Sequence, residues 1–235
     1  MGRTDRIGQT MAKKSMKSVQ SAIESHVDSL SQKHLFRALN ASSDIEDLRR
    51  IAPHGYFYVL AFQDMLRIAH SKIADPVMQE MALSLRMGDA GHDMWFLSDM
   101  EILGTSRDVR WIFGEEHQPV RDLTYGLIAE LLRANTDANR LVFPLVLEGA
   151  ASVFFTAMVD LVRRTGASES LSYFAPLHED AEHAHDIFTA ESQAKLDSIE
   201  FSSTAFEEAL SMVSRCFDCF ERFADHLEGW RLRAG

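Results

Sequence analysis

Two cysteines in 235 residues are too few for a disulfide framework. Cys216 and Cys219 stand three apart with no second Cys-x-x-Cys, so they do not make a zinc site of the usual kind, and they are expected to be buried structural thiols. Proline and glycine are also scarce, at five and twelve. With few alternating Val/Ile/Thr runs, that scarcity points to long helices rather than strands. Basic residues are outnumbered, 24 Lys and Arg against 35 Asp and Glu, a formal charge of −11. Phosphate binding needs a basic surface, so nucleic acid and an anionic membrane are both disfavoured as partners. The opening MGRTDRIGQTMAKKSMK has no apolar core segment and is not read as a secretory signal. Arg6 stands where a myristoylation motif wants Ser or Thr. A cytoplasmic protein is expected.

What is present is an ordinary globular composition, 46% hydrophobic and 25% charged, long enough for one large core. Residues 1–10 are polar and unpatterned and are expected to be disordered, with a single domain over 11–235. Apolar positions at helical spacing (Val19, Ile23, Val27, Leu30, then Leu35 and Leu39) predict a first helix from Met11 to Leu39, broken near Gln32. A short helix follows the Ser-rich start of 41–50 and ends near Pro53. Residues 55–74 read as a central helix with little solvent face. Pro76 opens the next, expected to run unbroken to a Gly104 cap. A connection, a helix or helix pair over 123–140, an apolar helix ending near Arg164, a helix over 168–192 and a last one over 201–230 complete an all-α bundle of about seven or eight helices.

Two stretches carry chemistry. In LHEDAEHAHDIF, His178, Glu182 and His185 are spaced i, i+4, i+7, which on a helix sets them at about 0°, 40° and −20° around the axis. Two imidazoles and a carboxylate on one face make half of a site for iron, manganese or zinc. In LVFPLVLEGAASVFFTAMV (141–159) the only ionisable residue is Glu148. A carboxylate on so apolar a helix must be paired, protonated or bound to a cation. Pro144, Glu148 and the flanking Arg140 and Asp160 favour a helix buried in a bundle over a membrane span. In GDAGHDMW, His92 has Asp89 at i−3 and Asp99 at i+7 on the same side of a continuous helix. His92, Glu148, His178, Glu182 and His185 thus form a three-histidine, two-carboxylate set, with Asp89 as a sixth candidate.

GHDMWFLSDMEILG, the Glu148 helix and HEDAEHAH together resemble the haem-oxygenase-like diiron oxidases and oxygenases, relatives of the TenA-like and PQQ-synthesis-type (PqqC-like) helical bundles. The resemblance covers roughly residues 20–230. It implies a haem-oxygenase-like fold, metal ligands at His92, Glu148, His178, Glu182, His185 and Asp89, one or two Fe(II) ions, and O2 as co-substrate in the oxidation of a small molecule, of the kind met in secondary metabolism. Two positions depart from the family pattern. One acidic residue is missing before Gly91-His92, and the early central helix offers His54 and tyrosines where the family has a carboxylate, with Asp64 as a weak substitute.

Other readings stand beside this one. His-x-x-x-Glu-x-x-His taken alone is more often a solvated helix face, and Glu179, Asp180 and His183 are assigned to such a face. A metal-free TenA-like hydrolase would need a nucleophilic cysteine near its pocket, and Cys216 and Cys219 have no base beside them in sequence. A small-ligand-binding bundle with a degenerate metal site would hold no iron. Trp95, Tyr56 and Tyr58 are read as core before cavity lining. His26, His34, His54, His70, His117 and His226 have no partner pattern. A bundle with this much apolar surface is expected to form a homodimer.

Overall fold

The computed structural model describes residues 14–105, 108–167, 170–175, 178 and 190–233, and among these there are helices and no strand. In chain order the helices are α1 (Met16–Ser31), α2 (His34–Ala41), α3 (Ile45–Ile51), α4 (Tyr56–Lys72), α5 (Pro76–Gly88), α6 (His92–Ile102), α7 (Val109–Ile112), α8 (Gln118–Arg133), α9 (Asp137–Thr165), α10 (Ala190–Asp197) and α11 (Ser203–Arg231). Short 3-10 turns at Ala52–Gly55 and Glu115–His117 join α3 to α4 and α7 to α8.

Local chemistry sets most of these boundaries. Side-chain oxygens satisfy the free N–H groups of helix starts: Asp44 for α3, Asp75 with Pro76 behind it for α5, Thr136 for α9 and Ser202 for α11. Gly104 and Gly166 take left-handed backbone at φ 74° and 73°, ending α6 and α9 as glycines commonly do. The break expected near Gln32 separates α1 from α2. The last helix begins and ends almost where its sequence pattern does.

Three expectations are corrected. The segment 76–104 is not one helix, because Gly91 sits at φ 96° and Asp89 caps the end of α5. Glycine enters that left-handed region without the Cβ clash that other residues suffer, so the chain turns here and restarts at His92. The central helix α4 has a solvent face after all, with Leu60, Asp64 and Arg67 exposed. The 123–140 stretch is divided at 134–136: its first part belongs to α8, which starts at Gln118, and Asp137–Arg140 begin α9. Of the helix expected over 168–192, residues 168–169, 176–177 and 179–189 lie outside the described residues, and so do residues 1–13.

The apolar helix α9 is the axis of the bundle, packed on by α1, α2, α3, α4, α5 and α11. A Cβ at Gly149 would meet Ile23 Cγ2 at 3.0 Å and Val27 Cγ2 at 3.1 Å, so a glycine here is what lets α1 lie close against α9. That approach places Gln20 and Glu24 beside Glu148 on the wall of a common cavity.

At the far end of α11, three histidines that had no partner pattern meet two indoles. His54 lies 4.3 Å from Trp230, 4.6 Å from His117 and 5.4 Å from His226, ring centre to ring centre, and Trp111 lies 3.8 Å from His117. His54 Nδ1, His117 Nε2 and His226 Nε2 are buried without a hydrogen-bond partner. Burial, then the nearby His117, His226 and Arg233, pushes the His54 imidazole down to about 3 from its usual 6.5. His117 and His226 are lowered too, again chiefly by burial. A folded-state value below the unfolded one means that the unfolded chain binds the extra proton between pH ~6.5 and ~3, so stability falls as pH falls through that window, by about 1.4 kcal/mol per unit for each proton taken up. Thermal unfolding from pH 7.5 to 4.5 is expected to show this loss, and His54→Phe, which keeps a ring but cannot titrate, should flatten it. An unchanged slope would rule the cluster out as the acid-sensitive element.

Candidate functional site

A cavity of about 580 Å³ opens between α1, α4, α6, α9, α11 and the segment 170–175 with His178. Its walls are largely apolar, with aromatic side chains such as Phe62, Phe96, Phe154, Phe155 and Phe220, and carboxylates and imidazoles gather on part of them. Four of the six residues expected as metal ligands line it: Asp89 from the α5 cap, His92 from the first position of α6, Glu148 from mid-α9, and His178. Glu182 and His185 lie outside the described residues.

The break after α5 makes the first part of this arrangement. Because the chain turns at Gly91, Asp89 and His92 face one another, with Asp89 Oδ1 3.0 Å from His92 Nδ1. His92 Nδ1 is also 2.9 Å from His178 Nε2. His178 Nδ1 lies 2.8 Å from the Tyr173 carbonyl and donates its proton there, which leaves Nε2 as a lone pair directed at His92. Both rings are almost fully buried, 4% and 3% exposed. Trp95 stacks on His92 at 4.9 Å and Phe155 sits edge-on to His178 at 4.3 Å. Tyr58 lines the cavity, Trp95 backs His92 without lining it, and Tyr56 is core, as expected.

Two residues that hold this constellation carried no sequence signal of their own. Gln63 of α4 donates to the Asp89 carboxylate and to its backbone carbonyl. Asp99, read in sequence only as a neighbour of His92, is wholly buried and accepts from the backbone N–H of Ser172 at 2.7 Å and of Phe174 at 2.9 Å. Burial pushes its carboxyl up, against the pull of those backbone bonds and of His178. Asp99 thereby fixes the residues on either side of Tyr173, whose carbonyl orients His178.

Other expected positions fall elsewhere. Asp64 is exposed and pairs with Arg67 at 3.1 Å, so it does not replace the missing carboxylate, and His54 belongs to the histidine and tryptophan cluster. Glu24 of α1, at the edge of the Val19, Ile23, Val27 stripe, reaches the cavity's rim but is exposed. Glu148 itself is half-buried rather than enclosed. Cys216 is buried, its thiol pushed up chiefly by burial, while Cys219 is half-buried beside Gly126 and Arg222; neither lines the cavity. No nucleophilic thiol is thus available there for a TenA-like hydrolase.

Adjacent ligands of an octahedral ion with bonds of about 2.1 Å stand about 3.0 Å apart. The Asp89–His92 and His92–His178 atom pairs have that spacing. They share one nitrogen, however, and among the described residues no set of three or more His, Cys, Asp or Glu side chains is arranged to hold a metal ion by itself. The donor types suit iron: two imidazoles and carboxylates, one imidazole already oriented by a backbone carbonyl. No family model matches this chain, and no curated protein matches it.

Proposed function

We propose that this protein is a haem-oxygenase-like helical oxidase or oxygenase that binds one or two Fe(II) ions in the cavity and uses O2 to oxidise a small molecule. His92, His178, Glu148 and Asp89 would hold the metal, joined by Glu182 and His185 from the neighbouring stretch of sequence. When bound, iron would supply the activation of dioxygen. The observation that carries the reading is the meeting, in one apolar cavity, of side chains from α5, α6, α9 and the segment before α10 that sequence spacing had already singled out as a ligand set.

The chain's own residues would do the rest. The Tyr173 carbonyl holds the His178 proton on Nδ1, so that the Nε2 lone pair faces His92 Nδ1 in the free protein and would be the atom offered to an ion. Gln63 turns the Asp89 carboxylate toward His92. The apolar walls leave room for an organic substrate against the polar groups.

The test is an anaerobic Fe(II) titration followed by mixing with air-saturated buffer in a stopped-flow spectrometer and an oxygen electrode. Uptake of one or two equivalents, with oxygen consumed only by the loaded protein, is the expected result. Absence of iron uptake would remove the oxidase reading and leave a helical binding protein.

A further inference from the structure

We propose that His54, His117 and His226, with Trp111 and Trp230, form a latch that mild acid releases, freeing the cavity wall that lies against it. It acts on the cavity read as the functional site and needs no iron. The latch joins three junctions of the fold: the Ala52–Gly55 turn before α4, the Glu115–His117 turn before α8, and the end of α11. Both turns are 3-10, with poorer hydrogen bonds than an α-helix, so they lean on the packing of these rings. His54 is the hub, with the rings of Trp230, His117, His226 and Trp111 between 4.3 and 6.3 Å from it, centre to centre. The same chain segments form cavity wall. Ile51, Ala52 and Gly55 flank His54 in sequence, Phe223 and Leu227 flank His226, and all five line the cavity. A shift of the turn or of the end of α11 therefore reshapes that wall.

The polar atoms of the latch are unsatisfied while it is closed. His54 Nδ1, His117 Nε2, His226 Nε2 and Trp230 Nε1 are all buried without a hydrogen-bond partner, so water entering an open latch gives each a bond that the closed form lacks. The surrounding charges also resist a proton in the closed form. Arg121 of α8 and Arg233, whose guanidinium stacks on Trp230 at 3.8 Å, oppose it, and Glu116, exposed and 3.9 Å from His117 Nε2, favours it at that ring alone. On the adjacent turn of α11, Glu228 pairs with Arg231 and with His34 of α2, and Arg231 with Asp47 of α3, so those charges are already matched. α4 and α7 bring Tyr56 and Trp111 against the cluster. Burial above all holds the three imidazoles below their usual range, His54 at about 3. Once released, each returns to about 6.5. Release therefore takes up protons below that pH, and each proton favours the open form by up to about tenfold per pH unit, three together by up to about a thousandfold.

Two of the three tryptophans, Trp111 and Trp230, belong to the latch, and Trp95 is an internal control. The full chain, labelled with 5-fluorotryptophan and free of metal, is taken from pH 7.5 to 5.0. Exposure of each indole is read from the difference in fluorine NMR shift between H2O and D2O, beside far-ultraviolet circular dichroism and stopped-flow uptake of the neutral apolar dye Nile red. Exposure of Trp111 and Trp230 is expected to rise together, with a midpoint between pH ~5 and ~6.5, while Trp95 and the helical signal hold. Dye uptake should quicken at least about tenfold over the same range. His54→Phe and His226→Phe, which keep a ring but take no proton there, are each expected to shrink that gain by about three- to tenfold. Four results would overturn the proposal: loss of helical signal together with exposure of all three indoles, which is unfolding of the whole chain; no change at Trp111 and Trp230 down to pH 5.0; indole exposure without faster dye uptake; or the parent's pH profile in both variants. No readout involves iron, so failure here leaves the oxidase reading standing, and loss of the oxidase reading leaves the latch.

Discussion

Glu148→Ala is expected to weaken Fe(II) binding by at least about 100-fold while leaving the far-ultraviolet circular dichroism of the protein unchanged. Glu148 sits half-buried in the middle of α9, whose surrounding positions Val146, Leu147 and Ala150 are core. Removing a carboxylate from such a place does not cost packing on the scale of a core truncation. Without metal the variant loses no core packing, so its melting temperature should change little. With metal the result differs. An ion at 100 times its dissociation constant stabilises the folded state by about 2.7 kcal/mol, and the variant forfeits that gain. A drop in melting temperature confined to the iron-loaded comparison is thus the signature of a ligand, and an equal drop in both states would mark Glu148 as structural. His178→Ala should lose iron in the same way.

Asp99→Ala carries the second large effect, and it acts at a distance. Asp99 does not line the cavity; it holds the backbone of Ser172 and Phe174 through two hydrogen bonds at 2.7 and 2.9 Å. Truncation leaves two N–H donors without their acceptor, at about 1–3 kcal/mol each where they remain buried, for a total near 2–4 kcal/mol after relaxation. The more telling readout is at the metal. With residues 172–174 released, the Tyr173 carbonyl no longer fixes the His178 tautomer and ring plane, and iron affinity is expected to fall about 10- to 100-fold. Asp99→Asn, which keeps one acceptor oxygen and the side-chain volume, should fall between the two. Full iron affinity in a destabilised Asp99→Ala protein would confine Asp99 to a structural role.

What could be read beforehand follows from which interactions are local. Helix identities came from apolar spacing and from caps within four residues, as with Ser202 before α11. Glu148 was legible as the one ionisable residue of an apolar stretch, and Asp89, His92 and His178 by their helical spacing to other candidate ligands. The break at Gly91 was legible only in part: Gly-Asp-Ala-Gly signals a turn, but the run of hydrophobes on both sides looked like one helix. Its consequence, Asp89 facing His92, depends on a backbone angle that no spacing rule contains. Gln63 escaped notice, and Asp99 was read only as a neighbour of His92, because their roles are bonds to groups 26 and 73 or more positions away. The histidine and tryptophan cluster escaped for the same reason. His54, His117 and His226 come together only once α11 has folded back past the Ala52–Gly55 turn.

The most direct measurement of the central claim is anomalous diffraction at the iron edge from crystals grown anaerobically with Fe(II). The account predicts a peak within bonding distance of His92 Nδ1 and His178 Nε2, on the side of the cavity that carries Asp89 and Glu148. Iron bound elsewhere on the surface, or a 2.9 Å contact between His92 and His178 retained in a metal-soaked crystal with no density beside it, would contradict it.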